Sequence, residues 1–118
     1  KPVAAFQNTQ FKLAEMRTQL DIAQTYVDQQ VAAFNAGALT AVDAAKSKLH
    51  CSELQVQMAE LGVQLHGGNG YMDEYPISRQ YTDAKISTIY AGSSEVMKII
   101  VSRDCLGSDY APFNTRNF

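Results

Sequence analysis

The sequence predicts an all-α domain, an up-and-down bundle of four helices of unequal length, and three observations carry that reading. Apolar residues recur at steps of three and four over long stretches. Nowhere do apolar and polar residues alternate as in a half-buried strand, and there are no internal repeats or low-complexity tracts. Breaks at Gly37, at Gly67 to Gly70, at Gly92 and at Gly107 divide the chain into four helical segments.

The first segment, residues 3 to about 35, carries Leu13, Met16, Leu20, Ala23, Val27, Val31 and Phe34 on one face, a stripe expected to pack into a core. Gly37 stops it as a C′ glycine would. Thr40 with Asp43 three residues later resembles a capping box, Asp standing in for the usual Glu or Gln, and starts a second helix that runs to about His66. That helix carries two stripes: Val42, Ala45, Leu49, Val56 and Val63, then Leu54, Met58, Leu61 and Leu65. Two apolar faces predict a helix covered on more than one side, either central in the domain or at a subunit contact. Pro76 suits a first helical turn, where its missing N–H is no loss. In the third helix Arg79 and Asp83, at i and i+4, are placed for an ion pair. Ser93 or Ser94 is expected to cap the last helix, with Glu95 in its first turn. Val96, Ile99 and Ile100 are expected to face the core, and Gly107 to end the helix. Residues 1–107 form the predicted bundle. The tail 108–118 has three aromatics and no periodicity, and reads as either a packed extension or a frayed end.

Composition narrows the function. The chain has 118 residues, 46% hydrophobic and 19% charged, which bounds it to one globular domain. A net charge of −2 gives no reason to expect a polyanion-binding surface, so no nucleic-acid partner is expected. No apolar run approaches the roughly 20 residues of a membrane span, and no signal-peptide pattern is present. Cys51 and Cys105 lack metal spacing and make a poor disulfide framework, so a reducing compartment is expected. His50 and His66 have no ligand-spaced partner, and no metal site is expected.

The stretch that organises the chain is Gln64 to Glu95, QLHGGNGYMDEYPISRQYTDAKISTIYAGSSE. Gln64, Gly67, Gly68, Gly70, Tyr71, Glu74, Arg79 and Asp83 fall at the spacing of the C-terminal signature of the acyl-CoA dehydrogenase family, which this stretch resembles. The segment IYAGSSE follows at the family's distance, and KPVAAFQNTQFKLAEM resembles the segment after the family's Arg-x-x-Phe-Gly run. Thr82 stands where relatives usually have a basic residue. The resemblance covers roughly residues 1 to 106 and implies the C-terminal helical domain of such an enzyme. The first residue is Lys rather than Met, so a processed or cut N-terminus is expected. The family's N-terminal helical domain, its β-domain and the start of the first C-terminal helix would then lie upstream.

Family enzymes remove a proton from the α-carbon of an acyl-CoA and pass a hydride from the β-carbon to FAD. The resemblance implies that Ser93, Ser94 and Glu95 contact the FAD of their own subunit. Physically, a helix N-terminus with hydroxyls suits anionic phosphates. It also implies that Gln64, Leu65, His66, Gly67 and Gly68 contact the FAD of a partner subunit, as does Gln7, with Asn8 also at the cofactor; apart from the resemblance, Gln7 and Asn8 read as solvated polar residues at a helix start. His66 reads equally as a ligand contact or as a surface or capping histidine. Tyr90 and Gly92 match substrate-adjacent positions. One cofactor served by two chains implies a dimer or tetramer, and electron-transfer flavoprotein is the implied acceptor. The implied compartment is the bacterial cytoplasm or the mitochondrial matrix, and not a secreted one.

The catalytic base is where the sequence departs. Many relatives carry Glu where this chain has Ala91, and alanine cannot take a proton. Long-chain and isovaleryl-type members place the base on the preceding helix, here upstream of Lys1; the alternative is a parent protein without a base. The intact cofactor signature favours the first. The chain alone is then expected to be inactive. Competing functions are a non-catalytic helical association module and a flavin oxidase on the same fold.

Overall fold

Phe6 delays the first long helix. The computed structural model, which describes residues 1–110, has a 3-10 turn at Val3–Ala5, and Phe6 is extended (φ −88°, ψ 131°). Helix α1 then spans Gln7–Asn35 and ends in a Schellman arrangement. The Ala38 N–H reaches the Ala33 carbonyl (2.8 Å), the Gly37 N–H reaches that of Phe34 (3.0 Å), and Gly37 takes φ +71°. Helix α2, Ala41–His66, is capped by Thr40, whose hydroxyl accepts from the Asp43 N–H at 3.1 Å. Only half the capping box forms, because the Asp43 carboxylate turns to Lys46 (3.7 Å). A 3-10 turn covers Gly67–Tyr71. Helix α3 is Pro76–Ile86 with Pro at its first turn, and α4 is Ser94–Leu106, ended by Gly107 at φ +81°. Ser93 is the residue that caps α4, accepting from the Val96 N–H at 3.3 Å.

Among the described residues no strand occurs, and α2 packs against each of the other three helices. Leu13 shares a groove with Leu61 and Leu65, and Phe34 another with Ala44 and Ser47, so α1 runs antiparallel to α2. Helix α3 also runs antiparallel to α2: a Cβ built on Gly62 would lie 2.5 Å from Ile77 Cδ1, and Lys48 Nζ donates to the Ser87 carbonyl. The centrality expected of the two-striped helix therefore holds. The side chains that bury are mostly small, Ala23, Ala45, Ala59 and Ala84, with Leu54 and Met97.

The stripe on α1 departs from expectation. Leu13, Leu20, Val31 and Phe34 are exposed, Phe34 at 69%. A helical stripe records that a face is meant to be covered, and among the described residues α2 is the one helix that packs extensively on α1. Other expectations need correction too. Arg79 does not pair with Asp83; its guanidinium reaches back to the Asp73 carbonyl, bracing the turn before α3. Val96 is exposed, and Met97 takes the core position in that turn. Ser108–Tyr110 form a 3-10 turn against α4, while the rest of the expected tail lies outside the described residues.

Candidate functional site

The two breaks sit toward opposite ends of α2. Lys48, which touches the second break, and Gln64, which precedes the first, are sixteen residues apart. At 1.5 Å per residue they lie about 24 Å apart along the helix.

At the first break the glycines divide by role. A Cβ on Gly70 would overlap the Val63 carbonyl and meet Val63 Cα at 2.9 Å, so Gly70 is there for close packing. Gly67 takes φ +61°, a conformation that favours glycine. A Cβ on Gly68 meets nothing within 4 Å, and its φ is ordinary, so its backbone faces open space. Gln64 and His66 are exposed. His66 Nδ1 donates to the Gly62 carbonyl at 2.7 Å, which makes it a capping histidine. Its ring meets that of Tyr75 edge-on, centroids 6.4 Å apart. Leu65 is half-buried and turns its side chain into the groove against α1. Because α1 is antiparallel to α2, Gln7 and Asn8, both exposed, lie at this same end.

At the second break the backbone is bent twice into the left-handed region, at Ala91 (φ +53°) and Gly92 (φ +101°). Tyr90 and Ala91 are exposed, Glu95 is exposed, and Gly92 and Ser93 are half-buried. Ser94 is 4% exposed: its hydroxyl donates to Glu53 Oε1 at 2.6 Å and its N–H to the Thr88 carbonyl at 2.9 Å. Its polar groups are thus turned into the fold. Ser93 Oγ accepts from the Val96 N–H and keeps its own proton to donate. Lys48 Nζ donates to the carbonyls of Ser87 (2.7 Å) and Gly92 (2.6 Å), with the Tyr90 ring centroid 6.0 Å away. Neither Lys48 nor Glu53 is signalled by the sequence, since their partners lie 39 to 44 residues away.

A groove of about 530 Å³ runs between α1, α2 and α3, lined by Leu20, Val27, Cys51, Leu54, Met58 and Ile77. Burial raises the Cys51 thiol above its ordinary pKa, so it stays protonated and a poor nucleophile at neutral pH. Among the described residues no three His, Cys, Asp or Glu side chains gather as a metal site needs.

The donor set suits a dinucleotide at both breaks: open glycine backbone with the Gln64 amide at one, and at the other the Ser93 hydroxyl beside a helix N-terminus. The family described as acyl-CoA dehydrogenase, C-terminal domain, matches residues 1–106. The chain is 42% identical over 104 residues to the mitochondrial long-chain specific acyl-CoA dehydrogenase of Sus scrofa, covering 88% of this chain and 24% of that protein. It is 38% identical over 106 residues to an acryloyl-CoA reductase (NADH) of Anaerotignum propionicum, covering 90% and 27%. The crystal structure of an acyl-CoA dehydrogenase from Geobacillus kaustophilus superposes with a TM-score of 0.86 at 41% identity, covering 89% of this chain and 28% of that one. The chain therefore spans about a quarter of the length of the relatives it matches, and it belongs to the acyl-CoA dehydrogenase family, of which it is the C-terminal helical domain.

Proposed function

We propose that this domain serves an FAD-dependent acyl-CoA dehydrogenase that converts an acyl-CoA thioester to the trans-2-enoyl-CoA. The observation that carries the proposal is the pair of dinucleotide-suited breaks set toward opposite ends of α2 within a chain of this family. Gln7, Asn8 and Gln64 to Gly68 gather at one end and serve the cofactor of a partner subunit, chiefly through the Gln64 amide and the open backbone at Gly68. Ser93 and Glu95 serve the cofactor of the same subunit. Ser94, whose hydroxyl is held by Glu53, supports that contact from beneath. Bound FAD supplies the acceptor for the hydride that leaves the β-carbon. Tyr90 and Gly92 line the acyl-CoA, and the left-handed Ala91 between them turns the chain without supplying a base. The base that takes the α-proton comes from a helix outside this chain, as in the long-chain type. Sharing of each cofactor between two chains makes the enzyme a dimer or tetramer. Electron-transfer flavoprotein is the electron acceptor, in the bacterial cytoplasm or the mitochondrial matrix.

The test uses the full-length enzyme. Gly68→Val places a branched side chain into open space within the chain, so it is expected to release FAD with helicity and thermal unfolding nearly unchanged. Gln64→Ala removes one hydrogen bond worth roughly 0.5–1.5 kcal/mol, a roughly two- to tenfold weaker FAD affinity. Ala91→Glu is expected not to raise activity, because the base is supplied elsewhere. Full flavin content in both loop variants would reduce the glycine turn to a helix connection.

A further inference from the structure

Resting on that reading, the geometry points to Lys48 and Glu53 as positioning residues: they clamp the segment Ser87 to Ser94 onto α2 and so hold the Tyr90–Glu95 backbone where cofactor and acyl-CoA meet it. Three observations converge. Lys48 Nζ bonds two carbonyls at once, Ser87 at the C-terminus of α3 and Gly92 at the entry to α4. An ammonium at a helix C-terminus also offsets the negative end of the helix dipole. Glu53, five residues on and about 7.5 Å along α2, takes the Ser94 hydroxyl on the other side of the bend. Between these anchors the chain holds Ala91 at φ +53°, a conformation an L-residue adopts only when its surroundings over-determine it. A Cβ on Gly92 would lie 2.5 Å from Met97 Cε, so the bend is also packed from the α4 side. Neither Lys48 nor Glu53 needs to touch substrate or cofactor. Their effect runs through the placement of the Gly92 backbone and of the Ser93 cap. The ring of Tyr90, its centroid 6.0 Å from the Lys48 ammonium, adds a fourth point of registration.

The full-length flavoenzyme tests this through FAD affinity, the flavin absorption spectrum and kcat, with thermal unfolding followed alongside. Lys48→Met removes both donated bonds and is expected to weaken FAD at least tenfold and shift the flavin spectrum. Lys48→Arg keeps the cation, but its planar head cannot reach both carbonyls in the same geometry. It is expected to unfold within a few degrees of the parent and still lose at least tenfold in FAD affinity or kcat, which decides the matter even if Lys48→Met does not fold. Glu53→Gln retains an acceptor for Ser94 and is expected to stay within threefold of the parent, whereas Glu53→Leu should follow Lys48→Met. If Lys48→Arg and Glu53→Leu keep FAD affinity, spectrum and kcat within twofold while only the unfolding temperature moves, the clamp is structural and the inference fails. A parent protein that binds no FAD would overturn both the proposed function and the inference, so the two failures are told apart by the parent alone.

Discussion

Within four residues of the first break, three glycines do three different things. Gly67 supplies a left-handed φ, Gly68 leaves its backbone bare, and Gly70 makes room for the Val63 carbonyl. The Val63 atoms belong to a helix backbone and cannot step aside, so Gly70→Ala is an overpacking change expected to cost about 1–3 kcal/mol. Gly68→Ala should be neutral or slightly stabilising, since it restricts the unfolded chain without strain in the folded one. Thermal or urea unfolding of the two variants side by side checks this, and equal loss from both would contradict the division of roles. The spacing Gly-Gly-x-Gly is legible in the sequence, but which glycine is packed and which is bare depends on where α2 ends. At the second break the sequence likewise marks Ser93 and Ser94 as equivalent hydroxyls. In the fold Ser93 caps α4, and Ser94 is buried against Glu53.

At the level of elements, the helix boundaries follow local chemistry and were readable: Thr40 before α2, Gly37 after α1, Pro76 opening α3, Gly107 closing α4. How closely two helices approach was not readable, and Gly62 shows why. It lies within α2, where glycine costs about 1 kcal/mol relative to alanine. It persists at a crossing where a Cβ would press on Ile77 at 2.5 Å. Gly62→Ala alone should therefore gain little or lose stability, because the clash offsets the propensity. In an Ile77→Ala background the same change should stabilise by about 1 kcal/mol. A double-mutant cycle in denaturant measures the coupling. Independent effects at the two sites would mean that the absence of a Cβ at Gly62 is not what lets Ile77 approach α2.

The whole molecule is long and thin for its size. Its radius of gyration is 18.1 Å, where a compact domain of about 100 residues has about 13 Å. Its surplus apolar surface lies on α1, where Phe11, Leu13, Leu20, Ile22, Val31 and Phe34 are exposed, more than on the second stripe of α2, where Leu54 is buried and Met58, Leu61 and Leu65 are half-buried. Covering even a few hundred Å² at ~25 cal/mol per Å² favours association by several kcal/mol before the entropy of binding is counted. Purified alone, the chain is expected to form dimers or larger assemblies and, on the function proposed above, to retain no FAD, since that reading gives it only part of the contacts. Sedimentation as a clean monomer at high micromolar concentration, or a yellow preparation, would contradict this.

Readable from the residues are the features that depend on neighbours a few positions apart: four helices, most of their caps, the two breaks, and the spacing that carries the family. These rest on backbone hydrogen bonds and φ preferences that close within one or two turns. Which apolar face found a partner, which glycine was packed, and how the second break is held follow from the packing of the helices. Lys48 reaches 39 and 44 residues ahead and Glu53 reaches 41, and a single sequence has no periodicity at such distances. The stripe on α1 shows the same limit from the other side. Its pattern states that a face is to be buried, while the partner that buries it is a matter of three-dimensional packing.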